Sequence, residues 1–302
     1  MIDYSVKIIC DSYNPDSMTR LTTFELMYPR YIHSELMTYR AFSRNASSSR
    51  AVPVAKLIDR IKKNPVVPVF TKNERGMTAN NPVSQHIQTK AERCWEYAMN
   101  AAIRNAEQLA NLGVAKQYVN RILEPYSYIA VILSGTYFSN FFEQRIHPDA
   151  QPEIRELATR MKAAYEESTP VIAAYGYIHL PYVLDVEREK YSLSECVKMS
   201  VARCARVSYL NHDGTTPVPE RDFDLYERLV GSRPLHASPT EHIAIPVPAW
   251  HAGKVNEKNF EGWMQYRACV ESRVGIIDGD SNLTRTSESL WESVLNDTNQ
   301  NI

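Results

Sequence analysis

An α/β fold of the α+β kind, a sheet with a large helical layer, is what this 302-residue sequence predicts. Two segments near the start, 4–10 (YSVKIIC) and 20–27 (RLTTFELM), carry the β-branched and aromatic residues of strands. From 84 to 112 apolar residues recur every three or four positions, the period of a helix buried along one face. The composition, 44% hydrophobic and 23% charged, is that of an ordinary globular protein with a full core.

After the two strands, Pro29 suits the first turn of a helix reaching about Arg40, because its missing N–H would have no partner there. Residues 51–83 hold a short helix, AVPVAKLIDRIKK, and an irregular link, GMTANNP. In the long helix Ile87, Ala91, Cys94, Ala98, Ala101 or Ala102, Leu109 and Leu112 form the apolar stripe, and Gly113 fits its C-terminal cap. A shorter helix carrying Arg121 ends near Pro125; an apolar stretch runs from Tyr126 to Phe142; then Ile154, Leu157, Ala158, Met161 and Ala164 share a helical face. To this point the chain reads as mostly helical after its opening strands. Ser192-x-x-Glu195 is a capping box that opens a further helix toward 205–209 (ARVSY), and DFDLYERLV gives another. Ser238, Pro239 and Glu241 fit N-cap, N1 and N3 of a short turn, and HIAIPVPAW after them reads as a strand. Residues 1–275 are expected to form a single domain, and 276–302 a polar tail, mobile or acting as an interface arm.

The net charge of −1 gives no general electrostatic attraction to nucleic acid or membrane. No apolar run approaches the roughly 20 residues of a membrane span, and the N-terminus lacks a secretory pattern, so a cytoplasmic location is expected. The five cysteines are scattered, without CxxC spacing, as in a reduced protein. His236, Glu241 and His242 lack any compact ligand spacing, and no metal site is predicted.

Residues 35–50, ELMTYRAFSRNASSSR, bear the densest chemistry. Hydroxyls and guanidinium groups delivered by the end of a rigid element can grip a phosphate, Arg supplying a planar fork of donors. A plain polar surface loop is the competing reading. The pattern Arg40-x-x-Ser43-x-Asn45-x-x-Ser48-x-Arg50 resembles the RHRxxSxNExSxR signature of the flavin-dependent thymidylate synthase (ThyX) family. Thr38, Tyr39 and Ala46 stand where the signature has Arg, His and Glu. A second block, Asn140-Phe141-x-x-x-Arg145 with Ala150-Gln151-x-Glu153-Ile154, is similar to the family's NFxxLRxxxxAQxEI segment, and Arg121 matches an upstream phosphate-holding arginine. Asp149 replaces a common histidine, and an Asn-x-Arg pair that touches the flavin has no counterpart. A third block, ARVS followed by His236-x-Ser238-Pro239-x-Glu241-His242, opens the family's chains but here follows the other two. The motif order therefore reads as circularly permuted, 1–190 carrying the first two blocks and 191–275 the third. Ser238 and Glu241 should then approach Arg40 or Asn45, and HIAIPVPAW should lie beside the sheet of 20–27.

The resemblance implies FAD, methylene-tetrahydrofolate, NADPH and a homotetramer with active sites shared between subunits. It also implies methylation of a pyrimidine deoxynucleotide, dUMP to dTMP. None of the five cysteines lies between Pro and His, the setting of the nucleophile in flavin-independent thymidylate synthases. Arg145 takes the position that polarises the pyrimidine. Glu35, Thr38, Ser47, Ser48, Ser49, Arg50 and Arg121 fall at the substrate and its phosphate, and Tyr39, Arg40, Asn45, Asn140, Ser208, Ser238 and Glu241 at the flavin. Glu35 stands where Gln is usual, and its carboxylate suits the amino group of cytosine. Methylation or hydroxymethylation of dCMP or dUMP for modified nucleotides is thus an alternative, as is a nucleotide-binding homologue without catalysis. Gln265, Tyr266 and Arg267 are candidates to replace the groups missing at Thr38 and Tyr39.

Overall fold

The computed structural model describes residues 2–75, 80–207, 216–276 and 281–296. Strands β1 (Ser5–Asn14) and β2 (Thr19–Pro29) form an antiparallel pair, and a 3-10 turn leads into α1 (His33–Met37). Then come β3 (Ser43–Ala46), α2 (Val54–Lys63), α3 (Gln85–Asn111), α4 (Lys116–Val119), β4 (Tyr128–Gly135), α5 (Ser139–Ile146), α6 (Pro152–Glu167) and β5 (Val171–Ile172). The C-terminal block holds α7 (Asp185–Lys190), α8 (Leu193–Arg206), α9 (Pro219–Leu229), β6 (Ala244–Pro246), β7 (Trp263–Gln265), α10 (Tyr266–Arg273) and α11 (Ser281–Leu295). The main sheet runs β3-β4-β2-β1-β5, antiparallel except for the β1–β5 pair, and β6 pairs with β7 in a separate ribbon.

Alternation along β2 divides the sheet into two faces. Phe24, Leu26 and Tyr28, with Ile129, Val131 and Leu133 of β4, pack on Phe141, Ile154, Leu157 and Met161 of α5 and α6. Each of these large side chains, fully buried, contributes about 1.5–3 kcal/mol. The opposite face is polar: Thr23 lies across the ladder from Ser134, Ser134 from Ser43, and Ile132 from both Glu25 and Asn45. The C-terminal block covers that face, with Ile132 joining the core of α8, β6, α10 and α11.

Several expectations needed correction. The stretch 126–142 is a central strand, β4, followed by α5. Strands buried on both faces lose the two-residue period, so its apolar run could not be told from a helix. Gly135, the last residue of β4, leaves room for Phe42, since a Cβ there would lie 2.7 Å from its ring. The helix expected from Pro29 to Arg40 is only five residues long, α1, since Pro29 still belongs to β2. The signature then enters the sheet as β3 instead of forming a loop. On α3 only Met99, Ile103 and Ala106 are buried, whereas Ile87 and Leu112 of the expected stripe are exposed, Leu112 at 79%. Gly113, at φ +77°, does close that helix. The Ser192–Glu195 capping box is formed, but the one expected at Ser238 is not: the 3-10 turn Ser238–His242 has no side-chain cap. The strand expected at HIAIPVPAW shortens to β6, which pairs with β7; beside the main sheet Ala244 packs with Leu21, Ile245 shares a core with Ile132, and Asn14 donates to the Val247 carbonyl. The polar tail contains α11, whose Leu290, Trp291 and Val294 are buried in the core.

Candidate functional site

A cleft of about 740 Å³ opens where α1 and α5 meet the start of α6. Its walls include Glu35, Asn140, Gln144, Arg145, Asp149 and Gln151. Arg145 sits in the last turn of α5, fixed by the burial of Phe141 and Phe142 on the same helix. Its guanidinium carbon lies 5.5 Å from the centroid of the Tyr39 ring, and the Tyr39 hydroxyl donates to Gln144 Oε1. Two cleft atoms are buried with no hydrogen-bond partner: Arg145 Nε, a donor, and Glu35 Oε2, an acceptor. A buried polar atom without a partner costs about 1–3 kcal/mol, more if charged, so this pair of orphans marks a place where a ligand with one acceptor and one donor gains most. Gln151 and Asp149 are held in place, Gln151 donating to Glu153 and Asp149 accepting from Asn80.

The predicted phosphate clamp gathers at a second place, around Glu124, and contributes nothing to the cleft walls. Arg121 donates to both Glu124 oxygens at 3.2 and 3.3 Å, and the Ser49 hydroxyl donates to Glu124 Oε1 at 2.5 Å. Ser47 Oγ accepts from the Ala130 N–H, and Arg50 Nε donates to Ser48 Oγ at 3.4 Å. Ser49 is buried while Ser48, Arg50 and Arg121 are exposed, so those three are open to solvent. Thr38 is also exposed, its hydroxyl donating to the Glu35 carbonyl at the end of α1.

Sequence reasoning missed three charged residues here. Glu124 neutralises part of the clamp. Arg30 donates to the Ser47 carbonyl and keeps Nε buried and unpaired; burial pulls its pKa below the ordinary arginine value. Arg44 donates to the carbonyls of Leu36, Met37 and Tyr39, tying the end of α1 to β3; burial lowers its pKa while Glu241 opposes the shift. Arg44 fills a variable position of the signature, and Arg30 follows a proline, so neither carried a motif signal.

The C-terminal block, which carries the third motif block, does reach the signature strand. The turn Ser238–His242 packs on β3 within the same chain, His242 Nδ1 lying 2.8 Å from Ser134 Oγ, and Asn45 Nδ2 donates to the Cys204 carbonyl at the end of α8 at 3.4 Å. Glu241, however, pairs with Arg267 and not with Arg40, which is exposed. Gln265 donates to Ser43 of β3, whereas Tyr266 meets Tyr226 and Arg267 pairs with Glu241 and Glu271 inside the C-terminal block, so Gln265 reaches the signature strand at Ser43 and these bonds bring none of the three to Thr38 or Tyr39. Ser208 lies outside the described residues. Among the described residues no three of His, Cys, Asp and Glu gather as metal ligands, and no helix is long and apolar enough to cross a membrane.

Comparison with known proteins gives four findings. The family model of the thymidylate synthase complementing protein matches residues 20–171, half of the chain. Among solved structures, a UMP/dUMP methylase, PolB, from Streptomyces cacaoi bound with 5-Br UMP superposes with a TM-score of 0.45 at 17% identity, covering 56% of this chain and 90% of that one. The same methylase bound with 5-Br dUMP gives 0.43 at 17% identity, covering 56% and 92%. No curated protein matches.

Proposed function

This chain belongs to the thymidylate synthase complementing protein family, and from that premise we propose that it methylates a pyrimidine deoxynucleotide at C5, converting dUMP to dTMP. Methylene-tetrahydrofolate would give the carbon and NADPH the reducing equivalents. The observation that carries the reading is that Arg145 and Glu35 both line the cleft and each keeps one polar atom, Nε and Oε2, without a hydrogen-bond partner. Uracil presents carbonyl oxygens and one ring N–H along a single edge, which complements one guanidinium donor and one carboxylate acceptor. C5 of uracil is a weak nucleophile, and no cysteine lines the cleft to add at C6. Charge placed in advance against the O4 edge stabilises the ring anion as it forms, and Arg145 has that role. Ser48, Arg50 and Arg121 would hold the 5′-phosphate. Since they are absent from the cleft walls, one site completed by residues of two copies in a homotetramer is consistent with this division of labour.

The residues near the cleft are compatible with FAD: Asn140 lines it and is exposed, Arg40 is exposed just past α1, and Tyr39 stands against the lining residues Arg145 and Gln144. When bound, FAD supplies the hydride chemistry of the methylation. Tyr39 and Asn140 would orient it, and Arg40 would bind its anionic part. Asn45, Ser238 and Glu241 are engaged by the C-terminal block and would act from beneath.

Glu35 supports a second reading, since its carboxylate also complements the amino group of cytosine, making dCMP a substrate for methylation or hydroxymethylation. The test is direct. The purified protein is incubated with methylene-tetrahydrofolate, NADPH and either dUMP or dCMP, and the product is identified by mass. A mass gain of one methylene on dUMP supports the first reading. Gain only on dCMP supports the second, and no flavin absorbance with no product on either would leave a nucleotide-binding homologue. Arg145→Ala with unchanged turnover would remove the role given to that residue.

A further inference from the structure

One glutamine of the cleft has its amide turned by a residue that does not line the cleft. Gln151 stands at the N-cap of α6, but its side chain does not cap the helix. Instead Gln151 Nε2 donates to Glu153 Oε2 at 2.9 Å. Glu153 is only 2% exposed and contributes nothing to the cleft walls. Its other oxygen, Oε1, accepts from the Val69 N–H at 2.8 Å. The phenol of Tyr31, pushed up by burial and then by the Glu153 charge, stays a protonated hydroxyl near the same carboxylate.

These bonds fix which end of Gln151 is left for a ligand. A carboxylate accepts hydrogen bonds and has none to give, so turning the amide over would set Gln151 Oε1 against Glu153 Oε2, acceptor against acceptor. At a buried carboxylate that mismatch is unfavourable. Gln151 Oε1 takes no hydrogen bond from the described residues and is not sealed from solvent, so it is the open polar atom of a side chain that lines the cleft. The α5 wall has the other polarity. Tyr39 donates to Gln144 Oε1, which leaves the Gln144 NH2 group available, and Arg145 can only donate.

Uracil and cytosine exchange donor and acceptor at exactly two ring positions. Uracil has N–H at position 3 and a carbonyl at 4; cytosine has a lone pair at 3 and an amino group at 4, and O2 is common to both. A glutamine able to turn over would satisfy either base. One held as an acceptor satisfies one base at a given position and opposes the other.

We propose that Gln151 is a specificity-determining residue of the cleft and that Glu153 is its positioning residue: the buried carboxylate holds Gln151 as an obligate acceptor, and the cleft thereby distinguishes uracil from cytosine nucleotides. The inference rests on a pyrimidine nucleotide entering this cleft, and it holds for either base, since Gln151 ranks the two at whichever of the two positions it meets. Glu153→Gln inverts the lock instead of breaking it. The Val69 N–H still needs an acceptor, so the new carbonyl oxygen turns to Val69 and the new NH2 group to Gln151. Gln151 then answers with Oε1 and shows its own NH2 group to the cleft.

The test is isothermal titration of the full-length protein with dUMP and with dCMP. Glu153→Gln should shift the ratio of the two dissociation constants by about tenfold or more toward the base that the native protein disfavours, the size of one hydrogen bond gained or lost. Gln151→Met should move the ratio the same way by less. A purely structural role for Glu153 would weaken both nucleotides alike, and an unchanged ratio in Glu153→Gln would overturn the lock. An unchanged ratio in Gln151→Met would overturn the role of Gln151, and that variant decides alone if Glu153→Gln does not fold. These outcomes leave the substrate reading standing. A native protein that binds neither nucleotide would overturn that reading and this inference with it.

Discussion

Acidification from pH 7 to pH 5 should destabilise this protein before most of its carboxylates titrate. His179 and His242 are fully buried and neutral, and burial holds both near pKa 3 against 6.5 in the unfolded chain. With depressed folded values, the unfolded state binds more protons, so the stability these residues permit is present above about 6.5 and is lost as pH falls toward 3. At pH 5 each unfolded imidazole is almost fully protonated and each folded one is not, which amounts to about 2 kcal/mol per histidine and about 4 kcal/mol for the pair relative to pH 7. His33, also pushed down, to about 4, by burial and then by Arg30 and Arg44, acts in the same direction, discounted for its partial exposure. Urea unfolding followed by circular dichroism at the two pH values measures the effect. With an m-value of about 3 kcal/mol/M the midpoint should fall by about 1.3 M. A midpoint unchanged between pH 7 and 5 would mean that one or both imidazoles are charged or solvated in the folded state, and their buried placement, His179 against Thr23 and His242 against Ser134, would have to be abandoned.

Three substitutions test other parts of the architecture. Asp222→Asn removes the buried partner of Arg203 and Arg206 between α8 and α9 and should cost about 3–5 kcal/mol by urea unfolding; a loss under about 1 kcal/mol would mean the pair is hydrated. Arg44→Ala strips the cap from three carbonyls at the end of α1 and should cost about 2 kcal/mol, read as a lowered thermal midpoint, with no change if water replaces the guanidinium. Trp291→Ala opens a cavity between α11 and α10 and should cost about 3–5 kcal/mol; an unaltered midpoint would show α11 to be undocked in solution.

Local rules were legible where the chemistry is local. The Ser192–Glu195 box opens α8, the stripe Ile154, Leu157, Ala158 and Met161 buries α6, and Gly113 closes α3. Those signals need only a residue and its neighbours within one turn. The family signature was legible too, because its spacing survives in Arg40, Ser43, Asn45, Ser48 and Arg50. Failures arose where a partner lies far along the chain. Glu241 looked like the third residue of a capping box, but Arg267, 26 positions later, takes its carboxylate. The stretch after Ile277 looked like a tail because its apolar residues Leu290, Trp291 and Val294 are sparse, yet their spacing is that of a one-faced helix that docks on α10.

The polar face of β2 shows why the C-terminal block had to be where it is. The alternation in Thr23-Phe24-Glu25-Leu26 states which residues share a face, and taken alone it predicts that Thr23 and Glu25 face water. Instead Thr23 is fully buried under His179, and Glu25 is half-buried and accepts from the hydroxyl of Tyr182, both partners supplied by the segment that leads into the C-terminal block. Burying hydroxyls and a carboxylate is unfavourable unless each finds a partner, so the cover had to bring its own histidines, tyrosine and glutamine in matching positions. An apolar cover would leave Ser43 without Gln265 and the Thr23–Ser134 pair without the histidines at its two ends, at about 1–3 kcal/mol for each group left unmatched. The requirement ties the two halves of the chain by chemistry and not by their order in sequence, which is why a block that follows the signature can serve the strand it would otherwise precede.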